Sequence, residues 1–545
     1  MSPVLGARRR VAAAVIVPVL LAAACGGGGG DRATPEGGGR AAVGAASVRV
    51  GGDLVAGPRF EIAPVALTEI WVDPEHGDDA RDGASRQEAL RTITAAWELI
   101  PAGEDLTVGY RIALVAGTYG AEDAPNYWEA RHGTATAPIV LESVDGPGRA
   151  ALPPINAFDV RHLYVLGVAI TSEFDPFHCE RCDHLLLREV TLAGVPDGRS
   201  GDRPQETLKV NQSSNVFVED SVISGATDNA VDFVAVQHGH LTGNRIGGAE
   251  DWCAYVKGGS ALLTVEGNEF ADCGTGGFTA GQGTGFQFME PPWLTYEASD
   301  IRVINNIVHD VDGAAFGVAG ASDTLIAYNT AYRIGARSHL IEVVLGRRGC
   351  DGAPDDANAV AACRAQLVRG GWGTTGEELE IIPNRNVWFY DNVLINPSDF
   401  PTPDVHFQVH GCVDARTSET NIPGPACAAD GLVLAGNVIL NGAEDVALFD
   451  EVAGCGGAGS SCAAAQLRGD NTINVAGLAL IDPEAGDYCV GRVPVGVTAV
   501  AIPDFPRDGS GVRPSGASAA LLSNAVTTNL RGEPRPAQGG RPGAC

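Results

Sequence analysis

Short runs of β-branched and aliphatic residues recur along the chain, each broken by a polar turn. Val218-Glu219-Asp220-Ser221-Val222 is followed by Thr242-Gly243-Asn244-Arg245-Ile246 and Glu266-Gly267-Asn268-Glu269-Phe270. The pattern returns at Ile304-Asn305-Asn306-Ile307, Ala327-Tyr328-Asn329-Thr330, Tyr390-Asp391-Asn392-Val393 and Ala435-Gly436-Asn437-Val438. Positions 220, 244 and 268 are 24 apart, and 306 to 329 is 23. The gaps 268–306, 329–392 and 392–437 exceed one period and are expected to hold loops or further coils. No single unit can bury its own apolar face, and stacking units creates one continuous core. A β-sandwich would show strands without this period. The pattern therefore predicts an all-β solenoid, a parallel β-helix, over residues 67–450, with C-terminal coils and a disulfide-rich cap over 451–545. The recurring asparagine is expected to adopt the left-handed backbone at the turn and to hydrogen-bond its equivalent one coil away.

The open ends of a solenoid need covering. Ser85 to Ile100 carries apolar Ala89, Ile93, Ala96, Trp97 and Ile100 on one helical face, and Ser85 with Glu88 has capping-box spacing. An N-terminal capping helix is expected there. Trp71-Val72-Asp73-Pro74, Gly77-Asp78-Asp79, this helix and Ala116-Gly117-Thr118-Tyr119 together resemble the entry motif of bacterial right-handed β-helix proteins of the pectate-lyase-like superfamily. The tail Thr527-Thr528-Asn529-Leu530-Arg531-Gly532-Glu533-Pro534-Arg535-Pro536 resembles their closing motif. The resemblance implies a right-handed parallel β-helix.

Arg8, Arg9 and Arg10 precede an apolar run from Val11 to Ala24 that is too short to span a bilayer, so residues 1–24 read as a signal peptide. The end, Leu20-Leu21-Ala22-Ala23-Ala24-Cys25, resembles a bacterial lipobox, with Leu21 one place further from the cysteine than usual. This implies lipidation at Cys25 and an anchor in the cell envelope; a plain secretory signal is the alternative. Residues 25–66, rich in Gly, Ala, Arg and Val, are expected to be a tether without a core. Net charge is −30, and removal of the three signal arginines takes it to −33. That excludes nucleic acid as a partner. An acidic polysaccharide would need a bridging cation such as Ca²⁺. A monomer is expected. Of 13 cysteines, twelve remain beside Cys25, an even number suited to disulfides in an oxidising compartment. Cys350 with Cys363, Cys412 with Cys427 and Cys455 with Cys462 are plausible local pairs. His178-Cys179-Glu180-Arg181-Cys182-Asp183-His184 has metal-like ligands but no matching second pair, which favours a disulfide or surface loop over zinc.

Only two of the 37 basic residues are lysine, Lys209 and Lys257. An arginine stays charged, whereas a lysine amine can lose its proton and act as a base. Their 48-residue separation is two periods, which places both on one face, two coils apart, with Phe233 or Val234 between. Asp228, Asp232, Glu250 and Asp251 gather nearby and are candidate Ca²⁺ ligands, with ordinary turn residues as the alternative. Lys257-Gly258-Gly259-Ser260, Glu266 to Cys273 and Phe278 to Gly281 resemble the active-site coils of polysaccharide lyase family 6. That resemblance implies Lys257 as proton-abstracting base and Glu250 as a Ca²⁺ ligand. The family's catalytic arginine corresponds to Thr279 here, so a leaving-group acid is absent or supplied elsewhere. Asp228-Asn229-Ala230-Val231-Asp232 is similar in spacing to the Ca²⁺-binding acids of polysaccharide lyase family 9, with Asn229 in place of the middle acid. Arg337, His339 and Glu342 are further candidates for acid or substrate contact, as are His238 and His240, which flank Gly239 at a turn. Gln282, Trp293 and Tyr296 are candidate substrate contacts, the aromatic rings in a long insertion, Met289 to Asp300. The leading expectation is Ca²⁺-assisted β-elimination on a uronate polymer. The alternatives are a non-catalytic glycan-binding or structural solenoid, and a glycoside hydrolase using paired carboxylates.

Overall fold

The computed structural model describes residues 57–195, 203–350, 356–370, 380–400, 402–413, 425–441, 459–504, 524–536 and 540–545. The signal peptide, Cys25, most of the tether and Cys455 lie outside them. The described strands form three long sheets of twelve, twelve and ten strands, and every pairing within these three sheets is parallel. Successive strands visit the three sheets in rotation, so each turn of the chain adds one strand to each sheet. The first sheet begins at Leu67–Val72, the second at Gly117–Thr118 and the third at Trp128–Glu129.

Alternation within each strand sends one set of side chains inward. In the third sheet the inward column reads Phe177, Leu208, Val231, Ala254, Phe278, Phe316, Ile341 and Phe407, in register and buried. Each large side chain so buried contributes about 1.5–3 kcal/mol. These columns merge into one apolar cluster running from Ile70 to Leu467.

The recurring asparagines form a continuous buried ladder. The side-chain oxygen of Asn268 accepts from the backbone and side-chain nitrogens of Asn244, both at 3.0 Å. The same arrangement repeats from Asn268 to Asn306, Asn329, Asn392, Asn437 and Asn471. Two details differ from the sequence pattern. The left-handed residue is the one before the ladder position: Gly243, Gly267, Asn305, Tyr328, Asp391 and Gly436 all have positive φ. At the ladder's start Ser221, rather than Asp220, aligns with Asn244, because its backbone nitrogen donates to that side chain. The long gaps hold insertions within single coils. One includes the helix Ala357–Gly370 between the strands His339–Val344 and Arg385–Tyr390.

The helix expected over 85–100 is not continuous. A short 3₁₀ turn, Arg86–Glu88, starts at Ser85, whose hydroxyl accepts from the Glu88 nitrogen at 3.3 Å. Leu90 then bridges to Val72, which interrupts the helix, and only Ile93–Glu98 is α-helical. Ile93, Ala96 and Trp97 are buried in the core.

Residues 57–66 are not a free tether. They cross the outer face of the first sheet, where Phe60 stacks on Phe217 at 4.5 Å and Tyr164 at 5.2 Å. The Phe60 carbonyl accepts from Arg188 and its nitrogen donates to buried Glu219. At the other end, Thr527 to Pro536 runs beside the coils. Arg535 donates to Asn305 and lies 3.9 Å over the Tyr328 ring. Cys489–Cys545 ties this segment down, and Tyr488 stacks on His309. Cys350–Cys363 and Cys412–Cys427 pair as expected, joined by Cys179–Cys182 and Cys253–Cys273. Among the described residues, no helix is long and apolar enough to cross a membrane.

Candidate functional site

The N-terminal segment covers part of the first sheet, and the outer face of the third sheet carries both lysines. Its outward residues fall into two parallel columns. One reads Asn156, His178, Lys209, Asp232, Tyr255, Thr279, Gly317, Glu342 and Gln408. The other reads Phe158, Glu180, Asn211, Val234 and Lys257. Both lysines face the same way, but Lys257 is two residues along the strand from the column of Lys209. Val234 precedes Lys257 in its column, Asp232 follows Lys209 in the other, and Phe233 points into the core.

Lys209 is enclosed by acid. Its amine is 3.0 Å from Glu206 and 3.9 Å from Asp232. Burial works against its charge, but Asp232 and Glu206 outweigh burial and raise its pKa. Lys209 is therefore a fixed cation, ill suited to the role of base. Burial, with the charge of Asp232, raises the pKa of the Glu206 carboxyl. Burial and the nearby Lys209 hold His178 down to about 4, so its ring is neutral at pH 7.

Lys257 is placed differently. Among the described residues it makes no ion pair within 4 Å. Its amine donates to the Gln282 side-chain oxygen at 3.3 Å and lies 4.3 Å from the centre of the Tyr255 ring. Tyr255 is buried, and burial with the charges of Asp232 and Glu206 raises its hydroxyl well above the usual range. The backbone after Lys257 turns through Gly258 and Gly259, both at positive φ. That turn is fixed from below by Glu297, which accepts from the Gly258 nitrogen at 3.0 Å and the Thr284 hydroxyl at 2.6 Å. Glu297 in turn pairs with Arg348, and both side chains are fully buried. Arg348 also donates to the carbonyls of Leu294, Thr295 and Tyr296. This pair joins the base of the 286–297 insertion to the turn that carries Lys257.

The four expected Ca²⁺ ligands do not form one set. Glu250 pairs with Arg203, and Asp232 is buried beside Lys209. Asp228 accepts from Asn229 at 2.7 Å. Asp228 and Asp251 are neighbours one coil apart, and burial with the charge of Asp251 raises Asp228. Two carboxylates fall short of the six to eight oxygens that Ca²⁺ takes. Among the described residues, no three His, Cys, Asp or Glu side chains converge as a metal site. The residues do not fit the cation.

The other candidates separate. Glu342 lies in the Lys209 column, three coils beyond Tyr255, and accepts from the His339 ring at 3.1 Å. Arg337 is exposed at the turn before that strand. Gln282 joins Lys257. Tyr296 is buried in a satellite core with Phe286, Met289, Leu367 and Ile382 and presents no stacking face, while Trp293 packs against that core half-buried. His238 and His240 lie within the strand Gln237–Thr242, and His240 is buried against Glu219 at 2.7 Å. Cys179 and Cys182 are bonded to each other, which removes the metal-like reading of that segment. Glu206, Tyr255 and Glu297 were not singled out in the sequence. Their places depend on the register between coils, and only Tyr255 carried a local signal, two residues before Lys257.

Residues 177–348 match the family model described as right handed beta helix region. No curated protein matches the chain. Among solved structures, a rhamnogalacturonan lyase aligns at 12% identity, over 68% of this chain and 87% of its own, with a TM-score of 0.42. The surface protein and adhesin PfbA of Streptococcus pneumoniae aligns at 11%, over 66% and 92%, with a TM-score of 0.37. A family 6 polysaccharide lyase of Pseudopedobacter saltans aligns at 10%, over 74% and 96%, with a TM-score of 0.33. In fold, this chain is a right-handed parallel β-helix.

Proposed function

We propose that this is an exported, envelope-anchored carbohydrate-active protein that cleaves an acidic, uronate-containing polysaccharide by β-elimination, with Lys257 as base. The observation that carries this reading is the contrast between the two lysines. Lys209 is locked among carboxylates, whereas Lys257 presents its amine on the same outer face, hydrogen-bonded to the Gln282 oxygen and against the Tyr255 ring, with no ion pair within 4 Å among the described residues. The Lys257 amine takes the proton on the carbon beside the uronate carboxylate. A carbon–carbon double bond forms, the glycosidic C–O bond at the next carbon breaks, and the departing oxygen takes a proton from solvent.

A second reading, a non-catalytic glycan binder, draws on Thr279. It occupies the position where family 6 carries its arginine, is 1% exposed, and its hydroxyl donates to the Gly281 carbonyl. A hydrolase finds less support, since Asp232 is buried beside Lys209 and unavailable for a pair of open carboxylates.

The test is to incubate the mature chain with pectate, alginate and glycosaminoglycans, with Ca²⁺ or with chelator, and to follow unsaturated uronate in the ultraviolet. Activity that disappears in Lys257→Ala supports the proposal. No activity on any substrate overturns the lyase reading, and activity unchanged in Lys257→Ala overturns the base. Loss of activity with chelator would restore a role for Ca²⁺ that the carboxylate geometry does not supply.

A further inference from the structure

A second group of reactive side chains lies further along the third sheet. Ser338, His339 and Glu342 occupy the strand His339–Val344 and the turn that leads into it. The Ser338 hydroxyl is 2.7 Å from Nδ1 of His339, and Nε2 of the same ring is 3.1 Å from Glu342. A carboxylate only accepts, so the ring proton sits on Nε2 and points at Glu342. Nδ1 then offers its lone pair to the Ser338 hydroxyl. A nucleophile is thus within hydrogen-bond reach of a base, and a third group orients the base.

The surroundings favour chemistry over a structural role for this hydroxyl. Ser143, Ser213 and Ser221 donate to nearby backbone carbonyls, at 2.7 Å each. Ser338 makes no such bond among the described residues, and its hydroxyl is bonded to the imidazole instead. Its backbone is fixed independently: its nitrogen donates to the Gly335 carbonyl, and its own carbonyl accepts from Asp404 and Val405. Gly335 turns the chain at a φ of 72°, where a Cβ would meet the His339 carbonyl. The turn leaves Ala336 and Arg337 exposed and Ser338 half-buried, open to a substrate from outside. The Arg337 side chain makes no hydrogen bond or ion pair among the described residues, and a guanidinium beside the nucleophile suits a developing oxyanion.

We propose that Ser338, His339 and Glu342 form a second, hydrolytic site that removes ester-linked acyl groups from the polysaccharide. Ser338 Oγ attacks the ester carbonyl carbon, and its proton passes to His339 Nδ1. The bond from that carbon to the sugar oxygen breaks, and the sugar oxygen leaves with the proton from His339. Water then attacks the acyl-serine, gives a proton to His339, and releases a carboxylic acid as Ser338 regains its hydrogen. Glu342 positions the ring and stabilises its charge. Glu342 is three coils beyond Tyr255 in the outward column, about 14 Å along the axis, so a chain held at Lys257 can present a substituent here. The polysaccharide as carrier rests on the carbohydrate reading above; the ester chemistry does not.

The test incubates the mature chain with p-nitrophenyl acetate and with O-acetylated alginate, and measures p-nitrophenolate and acetate. In parallel, the wild type is treated with a fluorophosphonate, which loses fluoride as an activated serine oxygen bonds to phosphorus, and the labelled peptide is located by mass spectrometry. The expected results are release of both products, a label on Ser338, and activity about a hundredfold lower in Ser338→Ala and His339→Ala. Glu342→Gln should lower kcat and leave KM in place. His76→Gln, at an exposed imidazole near the N-terminal end, controls for hydrolysis by any surface histidine and should change nothing. The label needs no variant, so a misfolded Ser338→Ala cannot mask the answer. A label elsewhere or nowhere, or activity undiminished in Ser338→Ala, overturns the site. Hydrolysis of the small ester without acetate release from the polymer overturns the polysaccharide as its substrate. Acetate release without unsaturated uronate overturns the lyase reading alone.

Discussion

Lys209 and Lys257 look equivalent in sequence, and the residues around them make them opposites. Replacing Lys209 by Met leaves Glu206 and Asp232 facing each other without a cation. The expected cost is about 2–3 kcal/mol, read as a lower midpoint in urea. Lys257→Met removes no ion pair and should leave that midpoint nearly unchanged while abolishing turnover. His309 offers a separate test. Its ring lies 3.1 Å from Glu269 and 3.0 Å from Asp310. Burial opposes its charge, but the hydrogen bonds to Asp310 and Glu269 outweigh it and raise its pKa to about 9. A raised pKa stabilises fully below the unfolded value, about 6.5, and the gain is lost as pH rises through 9. Thermal stability should therefore fall between about pH 6.5 and 9, and His309→Gln should flatten that slope. A variant with an unchanged slope would show that the ring is not charged in the fold.

Among the elements, the asparagine ladder is the one the sequence displayed most openly. Asn306 donates to the Val265 carbonyl and to Asn329, and accepts from Asn268. Asn306→Ala strands several buried partners and should cost about 3 kcal/mol in urea unfolding. Asn471→Ala, at the ladder's end with one neighbour fewer, should cost less. The insertion over 286–297 is held by Glu297 and Arg348. Arg348→Met leaves Glu297 buried without its cation and frees the carbonyls of Leu294, Thr295 and Tyr296. The expected outcome is faster proteolysis within the insertion and a rise in KM. The helix at 85–100 shows the opposite lesson. Its periodicity was clear, but pairing of Leu90 with Val72 extends the sheet and offsets the hydrogen bonds of a longer helix.

At the scale of the whole molecule, the first and last described segments fold back along the solenoid. Residues 57–66 carry Phe60 and Ile62 onto the first sheet, and the segment ending in Cys545 lies against Thr330, Asn305 and Tyr328. Removal of residues up to 66 should expose Tyr164 and Phe217, lower the melting temperature and increase binding of a hydrophobic dye. An unchanged dye signal would mean that the segment does not cover that face.

The sequence by itself determined the solenoid, because a period near 24 repeats the same short-range choice of strand, turn and buried asparagine at each coil. It also determined three features that depend on neighbours in the chain: the local disulfides, the Ser85 cap and the prominence of two lysines. The tertiary structure decided which side chains share a face. Strand pairing shifts Lys257 two residues from the column of Lys209, brings Glu206 and Asp232 to one amine, and draws Glu250 away to Arg203. A spacing of 48 residues cannot specify that offset, since coils here differ in length and a two-residue shift keeps a side chain on the same face. Burial, too, was decided in three dimensions: it turned Tyr296 into core, left Trp293 half-buried against it, and left Phe158, Tyr127 and Phe174 in the open.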